Sequence, residues 1–162
     1  MYVTRGEAIG FALRTRKNLE YIRQAFGHGE DVHVVTHVVN SLLGIVVVPK
    51  ERYFEEGFWS ISLDELTKRG WPKWYVTIDE PPEGSSKTET LGHLIRHLRN
   101  AAAHGRFRFG GEPDSRQLSE VSLIVEDGPS RSRNPNWQAE IEGNDLFQFC
   151  LLLAEYIDES IG

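Results

Sequence analysis

Apolar residues along this chain predict a mainly α-helical bundle that carries a small antiparallel β insertion between its last two helices. Three observations lead there. Four long segments repeat apolar residues every three or four positions. One of them, from Val32 to Val48, is apolar nearly all round, as a central helix must be. After Gly105 the apolar period switches to two, the mark of half-buried strands.

The first helix begins at "TRGE", where Thr4 and Glu7 have capping-box spacing. Ile9, Ala12, Leu13, Leu19, Ile22 and Phe26 make its apolar stripe. "GHGED" breaks it, and Asp31 is positioned to cap a second helix that ends at Pro49. Val32, Val35, Val39, Leu42 and Val46 form one row of that helix, and Val34, Val38, Ile45 and Val48 another. Only His33, His37 and Asn40 make a polar row. The valines are also compatible with a strand, but roughly 17 residues is long for one. "SLDELTKRG", with Ser62 and Glu65 in capping-box register and a glycine stop, predicts a short helix. "IDEPPEGSSKTET" predicts a loop. Ser86 and Glu89 then cap a helix whose core face is Leu91, Leu94, Ile95, Leu98, Ala101 and Ala102, with Gly105 as its stop. "RFRF", "EVSLIVE" and "WQAEIE" predict strands joined by glycine- and proline-bearing turns. A last helix runs from near Asn144 to about Ser160, with Leu146, Phe149, Cys150, Leu153, Tyr156 and Ile157 inward. One domain is expected over 1–162, with a helical core at about 4–105 and 144–161 and a β segment at about 106–142.

Composition narrows the function classes. The chain has 162 residues, is 40% hydrophobic and 26% charged, and so suits a folded globular protein rather than a disordered one. The single cysteine, Cys150, excludes an intrachain disulfide and fits a buried core thiol. The beginning "MYVTRGEAIGFAL" lacks the basic start and apolar block of a signal peptide. "VVNSLLGIVVV" is too short and interrupted to span a bilayer, so no membrane association is expected and a cytoplasmic location is. The net charge of −6 argues against a generic nucleic-acid coat but allows a local basic site. No nucleophile elbow, phosphate-binding glycine loop, paired-cysteine motif or HExxH occurs, which removes the common hydrolase and kinase classes.

The local basic site is "HLRNAAAHGRFRF". Between His93 and Arg108 lie four arginines, three histidines and no carboxylate, whereas Glu83, Glu89, Glu112 and Asp114 flank them. Arg99 and His104 are separated by about 140° and 7.5 Å on a helix, so both can edge one groove without stacking. Asn100 and His104 are i, i+4 neighbours on one face. RNA cleavage without a metal needs a base for the 2′-hydroxyl, an acid for the 5′-oxygen and a cation for the phosphate. Histidine and arginine supply these functions. One histidine makes a poor acid–base pair, but a two-fold dimer would bring two. Spacing alone is weak, since Arg23 and His28 repeat it in a glycine-rich context.

"RNAAAHG", late in a helical core, resembles the R-x(4–6)-H signature of the HEPN superfamily. "HVVNSLLGIVVVPKE" is similar to the second-helix region of small bacterial HEPN proteins. The resemblance implies a dimerising bundle. In catalytic members it further implies metal-independent RNA cleavage between protomers, in defence or toxin–antitoxin systems, with a cognate antitoxin. Arg99 and His104 match the signature, and Asn100 its polar companion. On this reading Arg99 holds the scissile phosphate, His104 is general base or acid, Asn100 positions one or both, and Arg96, Arg106 and Arg108 form a weaker RNA-binding rim. The expected partners are RNA and a second copy of the chain, and no cofactor is called for. Some members carry a tyrosine two residues after the histidine as a modification target; here that position is Arg106.

Three rivals remain. His33 with His37 and His93 with His97 have metal-ligand spacing, though arginines crowd the second pair. The same cations suit an RNA- or nucleotide-binding module without catalysis, with Phe107 and Phe109 either stacking on bases or facing the core. An adaptor or antitoxin would use the β segment and "YFEEGFW" as its contact surface. Trp59, Trp71, Trp74 and Tyr75 are otherwise expected to pack loops over the bundle.

Overall fold

A computed structural model describes residues 4–48, 57–129 and 134–159. Within them run α1 (Arg5–Gly27), α2 (Val34–Val47), α3 (Leu63–Lys68), β1 (Tyr75–Asp79), α4 (Leu91–His104), β2 (Phe107–Gly111), β3 (Val121–Asp127), β4 (Trp137–Glu142) and α5 (Gly143–Glu159). The fold is mainly α, with one antiparallel sheet of order β1-β4-β3-β2. Among the described residues no helix is long and apolar enough to cross a membrane.

The helices start where local chemistry allows. Thr4 and Glu7 close a reciprocal capping box on α1, and Ser62 accepts from the Glu65 backbone to begin α3. Two caps differ from expectation. Asp31 does not cap α2. His33 stands at that position with no side-chain bond, and Asp31 instead pairs with Arg116 across the molecule. The expected end at Pro49 lies outside the described residues. For α4 the cap is Thr90, whose hydroxyl accepts from the His93 N–H, rather than Ser86. Thr90 is adjacent to the first core residue, Leu91, whereas Ser86 would begin the helix four residues too early.

The core joins bundle and sheet. α2 buries Val34, Val35, Val38, Val39, Leu42, Ile45 and Val46, which fits its nearly all-apolar sequence. Leu13 of α1 is an exception at 39% exposed. It lies a hundred degrees around from Ala12, and Thr15 takes an inward position instead. Phe149 of α5 is the hub of the aromatic packing, edge-to-face with both Trp71 and Trp74. Phe58 stacks on Tyr156 and meets Trp59 edge-on, so this part of "YFEEGFW" packs inward; Tyr53 to Glu56 lie outside the described residues. Tyr75 is exposed. Phe107 and Phe109 pack against the core from β2, as strand alternation requires. Cys150 is fully buried, and burial pushes its thiol well above the usual range, so it stays protonated.

The sheet also recruits a fourth strand. β1 lies before α4 and includes Ile78 and Asp79, which sequence reasoning placed in a loop. It pairs with β4, with an irregularity between Val76 and Ile78. β1 and β2 are therefore opposite edges of the sheet, and α4 connects them.

Candidate functional site

Helix α4 is built with two faces. Leu91, Leu94, Ile95, Leu98 and Ala101 are buried, which fixes its rotation. Arg96, His97, Asn100 and His104 then fall together on another face, and all four line a cleft of about 400 Å³. The helix ends just past His104. Gly105 adopts φ 62°, its N–H reaches the Ala102 carbonyl, and the Arg106 N–H donates to the Ala101 carbonyl at 2.9 Å. This Schellman-type closure turns the chain directly into β2.

The opposite wall comes from the sheet. Asp79, Trp137 and Asp127 sit in one row across β1, β4 and β3, because Trp137 is in register with both aspartates. Asp127 is 8% exposed and is the polar centre of the cleft. Its Oδ2 lies 2.7 Å from His97 Nδ1 and accepts from Asn100 Nδ2 at 3.1 Å. Its Oδ1 accepts from the Gly128 N–H at 2.8 Å. Burial acts to raise the Asp127 pKa, but hydrogen bonds from His97, Asn100 and Gly128, with the charge of His97, outweigh it and hold the carboxyl below its ordinary range. The His97 ring also stacks on Trp137 at 4.4 Å and 6°. Trp137 is itself fixed, with Nε1 donating to Thr88 Oγ1 at 2.9 Å. Thr88 in turn donates through its N–H to Asp79.

The residues picked from sequence divide between two faces. Asn100 and His104 share the cleft wall, and Arg96 joins them, exposed. Arg99 does not line this cleft. It lies on an adjoining face of α4, where Nε donates to the Val46 carbonyl at 3.0 Å, in the last turn of α2. A guanidinium there also meets the negative end of that helix. Arg106 donates to the carbonyls of Gly128 and Pro129, tying the end of β3 to the end of α4. Arg108 faces out, 58% exposed at its side chain, with Glu126 at 3.6 Å.

Asp127 and the His97 contact were missed by sequence reasoning. The sequence presents His97 only as half of a metal pair with His93. In the fold the two diverge: His93 Nδ1 accepts from the Glu89 N–H, while His97 turns to Asp127. His33 is exposed at the start of α2 and His37 half-buried within it. Among the described residues, no three or more His, Cys, Asp or Glu side chains gather closely enough to hold a metal ion. No pattern in the sequence links position 97 to position 127. Only the packing of α4 against β3 makes that meeting.

Chemically, the cleft pairs two imidazoles with an arginine on one helix face and sets a carboxylate behind one imidazole. Such a site can exchange protons, and among the described residues Arg96 is its one arginine beside the carboxylates of Asp79, Glu80 and Asp127. Comparison with known proteins adds one match. The family model described as HEPN pEK499 p136 matches residues 1–162. No curated protein and no solved structure matches the chain. With the match running over its whole length, and the R-x(4–6)-H stretch closing α4 of a helical core, the chain belongs to this HEPN family.

Proposed function

We propose that the protein is a metal-independent endoribonuclease of HEPN type that works as a homodimer, as a toxin or defence effector held in check by a cognate antitoxin. The observation that carries this reading is the shared wall of Asn100 and His104, with the cation Arg96 beside them, at the end of α4. His104 exchanges a proton with the RNA, and Asn100 fixes the geometry around it. Arg99, anchored through Nε to the end of α2, binds the scissile phosphate at the dimer cleft. Arg96, Arg106 and Arg108 form the outer phosphate-binding rim.

The test is cleavage of a long unmodified RNA by purified protein in EDTA, with His104→Ala and Arg99→Ala prepared identically. Cleavage by wild type alone, leaving 2′,3′-cyclic phosphate or 3′-phosphate ends, is expected. Each variant should lose roughly 100-fold or more in rate. Equal cleavage by all three would mean a contaminant.

A second reading has a specific basis. Asn100 is engaged by Asp127 and Arg99 by Val46, so both have structural work within the protomer. A non-catalytic RNA-binding or adaptor protein fits that. Binding of RNA without cleavage, weakened by Arg96→Ala, would favour it.

A further inference from the structure

The nuclease reading, on which this inference rests, puts the scissile phosphate at Arg99, on the face of α4 that adjoins the cleft. An RNA strand held there must place its neighbouring bases somewhere, and the cleft opens along the same helix, with His104 in its lining. Asp79, Glu80 and Asp127 make the cleft a poor host for a phosphate, but carboxylates accept from the N–H groups on base edges. Its volume of about 400 Å³ lies within the range of small-ligand pockets, about 300–1,000 Å³. It also contains a flat, fixed surface. Asp127 holds His97 at Nδ1, and one face of the His97 ring stacks on Trp137 at 4.4 Å and 6°. Trp137 is 1% exposed, so the opposite face of His97 is what this stack offers to the cleft. A base laid on it extends a stack already two rings deep, which is how single-stranded RNA is commonly read. Beside Trp137, Glu80 and Asn136 continue the β1–β4 pairing by one step, and both line the cleft. The Glu80 N–H donates to the Asn136 carbonyl at 2.8 Å, and the Asn136 N–H to the Asp127 carbonyl at 3.1 Å, so the two residues are held side by side. The other carboxylates are committed: Asp79 accepts from the Thr88 N–H and hydroxyl, and Asp127 from His97, Asn100 and Gly128. Glu80 is therefore the carboxylate left to a ligand, and the Asn136 amide places a donor next to its two acceptors. Guanine has the complement of that pattern on one edge: the acceptor O6, then the donors N1–H and N2–H. Adenine and cytosine begin that edge with a donor, and uracil sets one donor between two acceptors.

We propose that the cleft between α4 and the sheet is a guanine-binding subsite, so that the RNA is cut next to a guanine. The base stacks on His97. Its N1–H and N2–H donate to the Glu80 carboxylate, and the Asn136 amide donates to O6. Arg96, exposed where α4 borders the cleft, stays with the phosphates. The chemistry of cleavage remains with Arg99 and His104 between two protomers, and the cleft of each protomer selects the base beside it.

The experiment separates binding from cleavage. The probes are short oligouridylates with one central guanosine, inosine or adenosine. Each is made as normal RNA and as 2′-fluoro RNA, which lacks the attacking hydroxyl and cannot be cut. Fluorescence anisotropy of the 2′-fluoro set at one fixed salt concentration gives Kd. Full-length wild type should bind the guanosine probe roughly 10-fold or more tightly than the adenosine probe. Inosine, which lacks the N2 amino group, should fall between them. Glu80→Ala, at an exposed position, should bring the three Kd values together, and Asn136→Ala should lower the preference, with Tm as the check on folding. His97→Ala removes the stacking surface and should weaken all three probes by roughly 10-fold. On normal RNA, sequencing of the product ends should place wild-type cuts next to guanine, and Glu80→Ala should spread them over other bases. Equal Kd values for the three probes with wild type overturn the inference, and cleavage of RNA without base preference does so while leaving the nuclease reading standing. A guanosine preference that survives in folded Glu80→Ala and Asn136→Ala overturns its placement in this cleft. Guanosine-selective binding with no cleavage of normal RNA overturns the nuclease reading and supports the subsite.

Discussion

Asp127 accepts from three donors in a nearly closed setting, and each would lose its partner on truncation. Asp127→Ala should therefore destabilise the fold by about 2–4 kcal/mol, measured by urea unfolding at neutral pH. The dependence on pH has a definite sign. The folded-state pKa of Asp127 is depressed by its hydrogen bonds against the opposing effect of burial. Its contribution is full above the unfolded aspartate value, about 3.9, and is lost as pH falls through the lower folded value. The stability gap between wild type and Asp127→Asn should be widest at neutral pH and should narrow as acidification goes below about pH 4. A gap that stayed constant would mean that the carboxylate charge is not what the site stabilises. At this scale the sequence revealed part of the polar lining of the cleft. His104 and Asn100 were legible because a capped amphipathic helix makes i, i+4 neighbours of them. His97 with Asp127 was not, because thirty residues and the β2–β3 hairpin separate them.

Among the elements, α4 depends most on its ends. Thr90→Ala removes the hydroxyl cap and should cost about 1 kcal/mol in urea unfolding. Gly105→Ala forces a Cβ into a left-handed residue and should cost about 1–2 kcal/mol. It should also lower RNA cleavage, because the last turn carries His104. Gly111→Ala should be worse for stability than either. It combines φ 72° with a Cβ that would fall 2.4 Å from the Glu120 carbonyl oxygen, so the β2–β3 pairing would have to shift. The helices and β2, β3 and β4 were readable because each carries its own period and stops. β1 was not. "YVTID" is five residues with an exposed tyrosine and an irregular register, and only β4, some sixty residues later, makes it a strand. The caps Asp31 and Ser86 were misplaced for a related reason. Several capping residues compete near each helix start, and packing of the first buried residue, Val34 or Leu91, decides among them.

Across the whole molecule, the bundle and sheet share one apolar core, in which Phe149 lies 1% exposed between Trp71 and Trp74. Phe149→Ala should cost about 3–5 kcal/mol, whereas Tyr75→Ser, on an exposed edge, should stay within about 0.5 kcal/mol of wild type. The proposed homodimer predicts twice the 18.5 kDa chain mass in sedimentation equilibrium. A monomer with full nuclease activity would refute dimeric catalysis. α4, which carries His93, His97 and His104, follows β1, leads directly into β2, and packs against β3 and α2. It cannot swing away without losing its packing on β3 and α2. Amide protons of α4 should therefore exchange with deuterium at the same slow rate as those of β3 and β4, as one cooperative unit. The helix that carries the R-x(4–6)-H stretch would then be among the last parts of the molecule to open, and any ligand of its polar face must arrive through the cleft rather than through local melting of the helix.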